Sequence, residues 1–537
     1  MRCVDVIVES GPYRMRRDWA RIALHGFQRN NHEPDETTVN DMGESSTVMD
    51  RRTVLASAAT GASLASAGCL SRLRSLTGWQ SPDPVGIQIK TYPNDADPYA
   101  LSIAGRVSDW LREAGIDAEV APVSREALHR DVLLNDDFDA FVARSPGWFR
   151  TPDSLYGLLH SRYTTTPGWH NPFGYTNLSA DEHLEVQRTA TGTDRTEAIA
   201  DLQRTVAETQ PFSIIGFPDD IRTANEVRYG GWTEADLRTP RNYVGVDRTA
   251  DKDTLRLVTT DSRPTQNLNP IAVEFRPTPD PVDLLYDSLG VSPGGERVDP
   301  LLASDWTFAR RNPDPVARVQ LREDLRWHDG ESLTAADVAF THEFLANTAL
   351  GENDGDPIPA PRYRGMNALV ESVDVIDHRS VEFSFVECDP RVAAGAFTVP
   401  ILPKHVWSDR TGASSVGGID IGGGTEALVT NNVPAIGSGP LEFADRERGE
   451  SLTLEPFDEY VGFREGVSLP GSPSDGDPAF DQFVFRTVGS DVTAVNVVGN
   501  GEMDVTWDPV GADNVSRIVR NSDLDLFADR SHPYSLL

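Results

Sequence analysis

The feature that most constrains this chain is a regular alternation of short apolar runs with longer amphipathic ones over residues 86–142. Residues 86–92 carry Ile87 and Ile89 at strand spacing, and 98–114 place Leu101, Ile103, Val107, Trp110 and Leu111 at helical spacing. Residues 116–120 read as a strand, 124–134 as a helix and 138–142 as a strand. Strands joined through helices return in the same direction, so this order predicts a parallel sheet covered by helices. Two more helical patterns, about 179–190 and 194–209, lead to the apolar run 211–217.

A polar bridge at 246–253 opens a second block. The pattern predicts a strand at 254–260, a helix over 280–289 and a strand at 317–321. Thr334 with Asp337 three residues on has the spacing of a capping box. Strands at 371–376 and 380–386 and a strand–helix–strand unit at 480–507 follow, while the acidic, Gly/Ser/Pro-rich stretches 352–361, 411–425 and 466–478 read as surface loops.

Charge narrows the setting. The chain has 83 Asp and Glu against 49 Lys and Arg, a formal net charge of −34 over 537 residues. Such a balance excludes a phosphate-tracking nucleic-acid binder, which needs clustered basic residues. Only Lys90, Lys252 and Lys404 are lysines; the other basic residues are arginines. An acid-rich, Lys-poor surface suits a protein kept soluble at molar salt, where the Debye length is about 3 Å.

The cysteines Cys3, Cys69 and Cys388 are too scattered for a metal or redox motif. Cys69 ends a segment that starts at Met49 with paired Arg51 and Arg52, passes through a weakly apolar run and closes on Ala67-Gly68-Cys69. Paired arginines ahead of such a run describe a Tat-type export signal over 49–69, with Cys69 as the lipidation site. On this reading residues 1–48 lie upstream of the native start, and 70–85 form a tether to the cell surface.

Searches for chemistry return little. No GxxxxGK or HExxH is present, and the histidines never cluster at metal-ligand spacing. Trp327-His328-Asp329-Gly330 offers either a His–Asp pair or a hairpin tip with Asp-Gly in the turn, and the hairpin is the simpler reading. No catalytic residue, metal or cofactor is assigned.

Residues 284–347 are more specific. Leu284-Leu285-Tyr286-Asp287-Ser288-Leu289, Pro300-Leu301-Leu302-Ala303-Ser304-Asp305-Trp306, Leu325-Arg326-Trp327-His328-Asp329-Gly330 and Leu333-Thr334-Ala335-Ala336-Asp337-Val338 occur in order. Leu402-Pro403-Lys404-His405-Val406-Trp407, Gly437-Ser438-Gly439-Pro440-Leu441 and Gly501-Glu502-Met503-Asp504-Val505 follow. The set closely resembles the extracellular solute-binding proteins of family 5, the oligopeptide, dipeptide and nickel class of ABC transporter receptors. The first block resembles the carboxy-terminal part of the same family, through Ala114-Gly115-Ile116-Asp117-Ala118, Asp137-Phe138-Asp139-Ala140 and Leu158-Leu159-His160-Ser161.

The resemblance implies an α/β, two-lobed, periplasmic-binding-protein-like (class II) fold with an extra domain. It also implies circular permutation, with 86–245 as the family's usual end, 246–253 as linker and 254–537 as its usual beginning. The family's central helical section is missing after Leu537, so that either the lineage dispenses with it or the chain is truncated. The implied function is a monomeric receptor, held at the cell surface by lipid, that delivers a peptide-like or other small solute to a permease and its ATPase. A non-transporting sensory relative, an inactive truncated chain and an exported hydrolase are the alternatives. Peptide-binding relatives hold the ligand's amino group with an Asp shortly before the proline matched by Pro152. Here Gly147-Trp148-Phe149-Arg150-Thr151-Pro152 has none. Trp148 and Phe149 either stack on a ligand or pack under the loop, and Arg150 either pairs a ligand carboxylate or stays in solvent. Asn267, Asn269 and Ser438 complete the candidate ligand-binding residues.

Overall fold

The computed structural model describes residues 85–94, 96–145, 151–233, 236–249, 253–272, 280–311, 313–352, 357–416, 419–473, 476–530 and 535–536. Arg51, Arg52, Cys69, Trp148, Phe149 and Arg150 lie outside the described residues. The chain divides into two compact units. Residues 85–88 and 105–119 are the described part of one; within it Asp117 N donates to Val85 O at 2.9 Å and the Ser108 hydroxyl to Ala118 O at 2.9 Å. Residues 89–104 and 120–537 make up the other.

The predicted alternation is present. Strand β1 (Gly86–Thr91) is followed by helix α1 (Pro98–Glu113), β2 (Asp117–Pro122), α2 (Arg125–Leu133) and β3 (Ala140–Arg144). Ser124 caps α2 by accepting from Ala127 N at 3.2 Å, satisfying one of the backbone donors that a helix start leaves open. Strands β1 and β3 run parallel, with Ile89 opposite Ala140 and Thr91 opposite Val142. Lys90 is buried here, with Nζ 3.0 Å from Asp131 and 3.2 Å from Asp137. Helices α3 (Leu178–Thr189) and α4 (Gly192–Thr209) then lead to β4 (Ile214–Gly216), and the chain continues into β5 (Asp219–Ala224) and β6 (Thr254–Thr259).

The rest of the chain adds β7 (Ala303–Arg311), β8 (Asp314–Leu321), helix α5 (Ala335–Ala346), β9 (Val370–Asp377) and β10 (Ser380–Phe385). After these come β11 (Leu441–Glu447), β12 (Ser451–Pro456), β13 (Gln482–Thr487), α6 (Asp491–Gly499), β14 (Val505–Thr506), β15 (Asp525–Arg530) and β16 (Ser535–Leu536). Three larger sheets result: a five-stranded one of order β2-β1-β3-β16-β4, a seven-stranded one of order β11-β12-β13-β6-β14-β5-β15, and an antiparallel four-stranded one of order β7-β8-β10-β9. In the seven-stranded sheet β13, β6 and β14 are parallel. Strand β6 accordingly buries Leu257, Val258 and Thr259 in succession, as a strand covered on both faces must. The four-stranded sheet packs Trp306, Phe308, Phe383 and Phe385 around Phe397, with the Phe383 and Phe397 rings 5.2 Å apart.

Two chain crossings connect the five-stranded and seven-stranded sheets. Strand β4 passes through Phe217 and Pro218 into β5, and β15 precedes β16. Strand β5 pairs antiparallel with β15 in one sheet, and β4 with β16 in the other, so the crossings are neighbours at both ends. Sheet membership therefore does not follow the sequence division at 246–253: β5 from the first block joins the sheet of the second, and β16 does the reverse.

A backbone hydrogen bond and an ion pair tie the first block to the second. Arg188 forks onto Asp153 through Nε at 2.7 Å and Nη2 at 2.8 Å, over the Tyr156 ring, and its carbonyl accepts from Asp389 N at 2.8 Å. Arg195 donates through Nη1 to Glu296 at 2.6 Å. Cys388, beside this junction, is buried, which pushes its thiol up to about 12.

The capping box forms as predicted. Asp337 accepts from Thr334 N at 2.8 Å, and its other oxygen accepts from Lys404 N at 3.1 Å. Residues 327–330 are a hairpin tip: Arg326 bridges Ser332, and Gly330 takes a φ of +84°. Asp329 pairs with His405 at 2.7 Å and not with its neighbour His328. His328, pushed down to about 4 by burial, accepts from Gly437 N at 3.2 Å and donates to Gly439 O at 3.1 Å.

Three local expectations are corrected. The helix expected over 280–289 is only Val282–Leu285, because Asp287 and Ser288 pair with other segments. Within 411–425, Ala413–Val416 and Ile419–Thr425 form a hairpin where a loop was expected. In the bridge 246–253, Asp247–Arg248 pairs with Tyr229–Gly230.

Glycine is required at 437 and 439. A Cβ would lie 1.9 Å from Leu285 O at Gly437 and 2.3 Å from Leu284 O at Gly439. Both neighbours are backbone and cannot swing aside. Gly439→Ala is expected to cost about 3 kcal/mol, read as a lower denaturation midpoint at unchanged slope; a midpoint within error of wild type would refute this packing.

Candidate ligand site at opposed strand ends

In parallel sheets the loops beyond the carboxyl ends of the strands carry the ligand contacts, since the backbone there is released from the ladder. Both sheets present polar residues at those ends. At the end of β1, the Thr91 hydroxyl donates to Val142 O at 3.1 Å, and the buried Tyr92 hydroxyl lies 3.0 Å from His129 Nε2. The Arg125 guanidinium sits 4.9 Å over the Tyr92 ring. Burial, and after it the charges of Arg125 and Arg263, push His129 down to about 3, so its ring is neutral. Asp97 accepts from Tyr99 N at 3.0 Å and Ala100 N at 3.1 Å at the start of α1, and from Arg144 Nε at 2.6 Å at the end of β3.

The other sheet contributes the ends of β6 and β14. Asp508 accepts from the Thr259 hydroxyl at 2.6 Å and from Thr260 N at 2.9 Å, locking the two parallel strands at their exits. Trp507 is buried against Phe485 and Tyr243, with ring centroids 4.9 and 5.2 Å away. Arg263 reaches back to Asp261, with Nε 2.8 Å from Oδ1. Burial raises the Asp261 carboxyl, but Arg263 and then Arg125 outweigh it and hold the group below its ordinary value. Burial likewise works against the Arg263 charge, and Asp261, Glu126 and Asp280 outweigh it.

These fields run across the two sheets. Arg263, after β6, acts on Tyr92 and His129, after β1 and on α2; Arg125 acts on Asp261 in return. The strand ends thus lie within electrostatic reach of one another, and their paired charges make up a polar seam. The seam can orient a polar or charged solute and contains no assembled nucleophile. Among the described residues no group of three His, Cys, Asp or Glu could hold a metal ion, and no helix is long and apolar enough to cross a membrane.

The described candidates occupy different places. Asn267 shares the loop of Asp261 and Arg263, and its Oδ1 accepts from Asn269 N at 2.8 Å. Asn269 is buried, donating to Ala427 O and Thr430 O at 2.7 and 2.9 Å and accepting from Ile271 N and Ala272 N. Ser438 is buried and accepts from Asp287 N at 3.3 Å, next to the Asp287–Arg241 pair that Tyr460 joins. Sequence reasoning missed Tyr92, Asp97, Arg125, Arg144, Asp261, Arg263 and Asp508. The signal that could have found them is positional: most follow directly on a predicted parallel strand.

Residues 297–536 match the profile of the bacterial extracellular solute-binding proteins, family 5 middle region. A probable peptide-binding protein, YejA of Agrobacterium fabrum, is 30% identical over 251 residues, 45% of this chain and 37% of that protein. The oligopeptide-binding protein AppA of Bacillus subtilis is 25% identical over 219 residues, 40% of this chain and 34% of that one. The chain therefore spans about a third of the length of these relatives. Among solved structures, NikZ from Campylobacter jejuni in complex with Ni(L-His) superimposes with a TM-score of 0.37 at 17% identity, over 51% of this chain and 46% of that one.

Replacing Arg263 tests the seam. With Arg263 in place the Asp261 carboxyl is depressed, so its contribution is present above the unfolded value of about 3.9 and fades as pH falls below it. Arg263→Gln leaves a part-buried carboxylate without its main partner, which burial then raises. The variant is expected to lose about 1–2 kcal/mol at pH 7 and to regain part of it on acidification toward pH 5. A parallel downward shift of the melting temperature at all pH values would contradict this account.

Proposed function

We propose that this chain is the solute-binding receptor of an ABC importer, capturing a peptide-like or other small solute between the opposed strand ends and delivering it to a permease and its ATPase. The match of residues 297–536 to the family 5 profile carries the reading. Two adjacent crossings between the sheets support it, because such connections let lobes close on a ligand by hinge rotation. The peptide-like class is inferred from the names of YejA and AppA. In this reading Trp148, Phe149 and Arg150, which follow β3 in sequence, and Asn267, after β6, contribute directly to the ligand site. Asn269 and Ser438 brace its loops from inside. No catalytic role is assigned.

The remaining features of the proposal come from sequence. The segment 49–69 is a Tat-type export signal, Cys69 carries a lipid, and the mature receptor stands at the surface of a haloarchaeal cell as a monomer. The family's segments are circularly permuted across the bridge 246–253. Permutation is compatible with folding because domain termini often lie close together at the surface.

Thermal-shift screening in about 2–4 M KCl, chosen to match the screening such a surface requires, against peptides, sugars and metal chelates tests the receptor function. A binder at a hundredfold excess over Kd adds about 2.7 kcal/mol, and a peptide is expected to give the largest shift. If no solute moves the melting temperature, the receptor function is rejected for this chain. Cys69→Ser should release the protein into the medium; unchanged membrane association would reject the lipid anchor.

A further inference from the structure

The crossing between the sheets contains a feature that ligand binding does not account for. Asp220 on β5 and Asp529 on β15 are directly opposed partners in the antiparallel ladder. Like charges in that relation push their strands apart. Arg238, at the end of the short turn Asp236–Arg238, answers both: Nη1 contacts Asp529 and Nε lies 3.8 Å from Asp220. Arg222, two residues along β5 on the same face, holds Asp220 through Nε at 2.7 Å but turns Nη1 onto Trp507 O. Arg222 is therefore committed between Asp220 and the neighbouring strand. The Arg222 side chain is 2% exposed, Asp220 10%, Arg238 17% and Asp529 48%, so the group runs from the interior to the surface.

We infer that Arg238 is a clasp: it neutralises two opposed carboxylates and so holds together the strands through which the chain crosses between its sheets. The Asp529–Arg238–Asp220–Arg222 line ends on the Trp507 carbonyl, one residue before Asp508, which locks the exits of β6 and β14. The stiffness of the crossing thus draws on a partly exposed cation, and it is joined through the Trp507 carbonyl to the strand exits that Asp508 locks.

Hydrogen exchange of the ligand-free protein reads this directly. In Arg238→Gln the amides of residues 219–224 and 526–530 are expected to exchange about tenfold faster. Adding Asp529→Asn should return them to within about twofold of wild type, because one of the opposed charges is then gone. Asp529→Asn alone should leave protection near wild type and serves as the reference if Arg238→Gln does not fold. Unchanged exchange in Arg238→Gln overturns the clasp. So does failure of Asp529→Asn to restore protection, or loss of protection in Asp529→Asn alone. No solute enters the measurement, so its outcome is distinguishable from failure of the receptor function.

Discussion

The chain changes sheets twice, and the strands that flank the two changes pair with one another. Strands β4 and β16 are neighbours in one sheet and β5 and β15 are neighbours in the other, so each passage is hydrogen-bonded to its companion at both ends. This constraint fixes the position of each sheet's strand exits along its own ladder. Tyr92, Arg125 and Arg144 on one side and Asp261 and Arg263 on the other then act on one another's charge across the seam. Had either passage been a long loop, the same strands could form without their ends opposing.

Much of the architecture was legible in sequence because it depends on local periodicity. The alternation over 86–142, the capping box at Thr334 and the hairpin tip at 327–330 all follow from spacing and side-chain chemistry. The helix expected over 280–289 fails because the preferences of Asp287 and Ser288 are overruled by partners more than a hundred residues away. The hairpin in 411–425 was hidden by its glycines, which read as loop and here sit in a strand. The exchange of β5 and β16 between sheets has no local signal at all, since pairing partners some three hundred residues apart leave no periodicity.

The candidate ligand site shows the same division. Aromatic residues and asparagines attracted notice as residue types, whereas the seam is built from charged groups distinguished only by following a strand. In a chain with 83 carboxylates no single Asp stands out. In the motif Gly437-Ser438-Gly439 the glycines are pressed on the backbone of 284–285 and the buried serine accepts from Asp287 N.

The Arg188 fork on Asp153 bears on how such a molecule behaves in concentrated salt. Its two contacts, at 2.7 and 2.8 Å, are shorter than the distance of about 3 Å over which ions at 1 M screen a field. Dissolved ions can erase the long-range repulsion among surface carboxylates, yet no hydrated ion fits between a guanidinium and a carboxylate already touching. Brine would therefore divide the electrostatics of this protein by distance: the net charge becomes nearly silent, while contact pairs such as this one keep their strength.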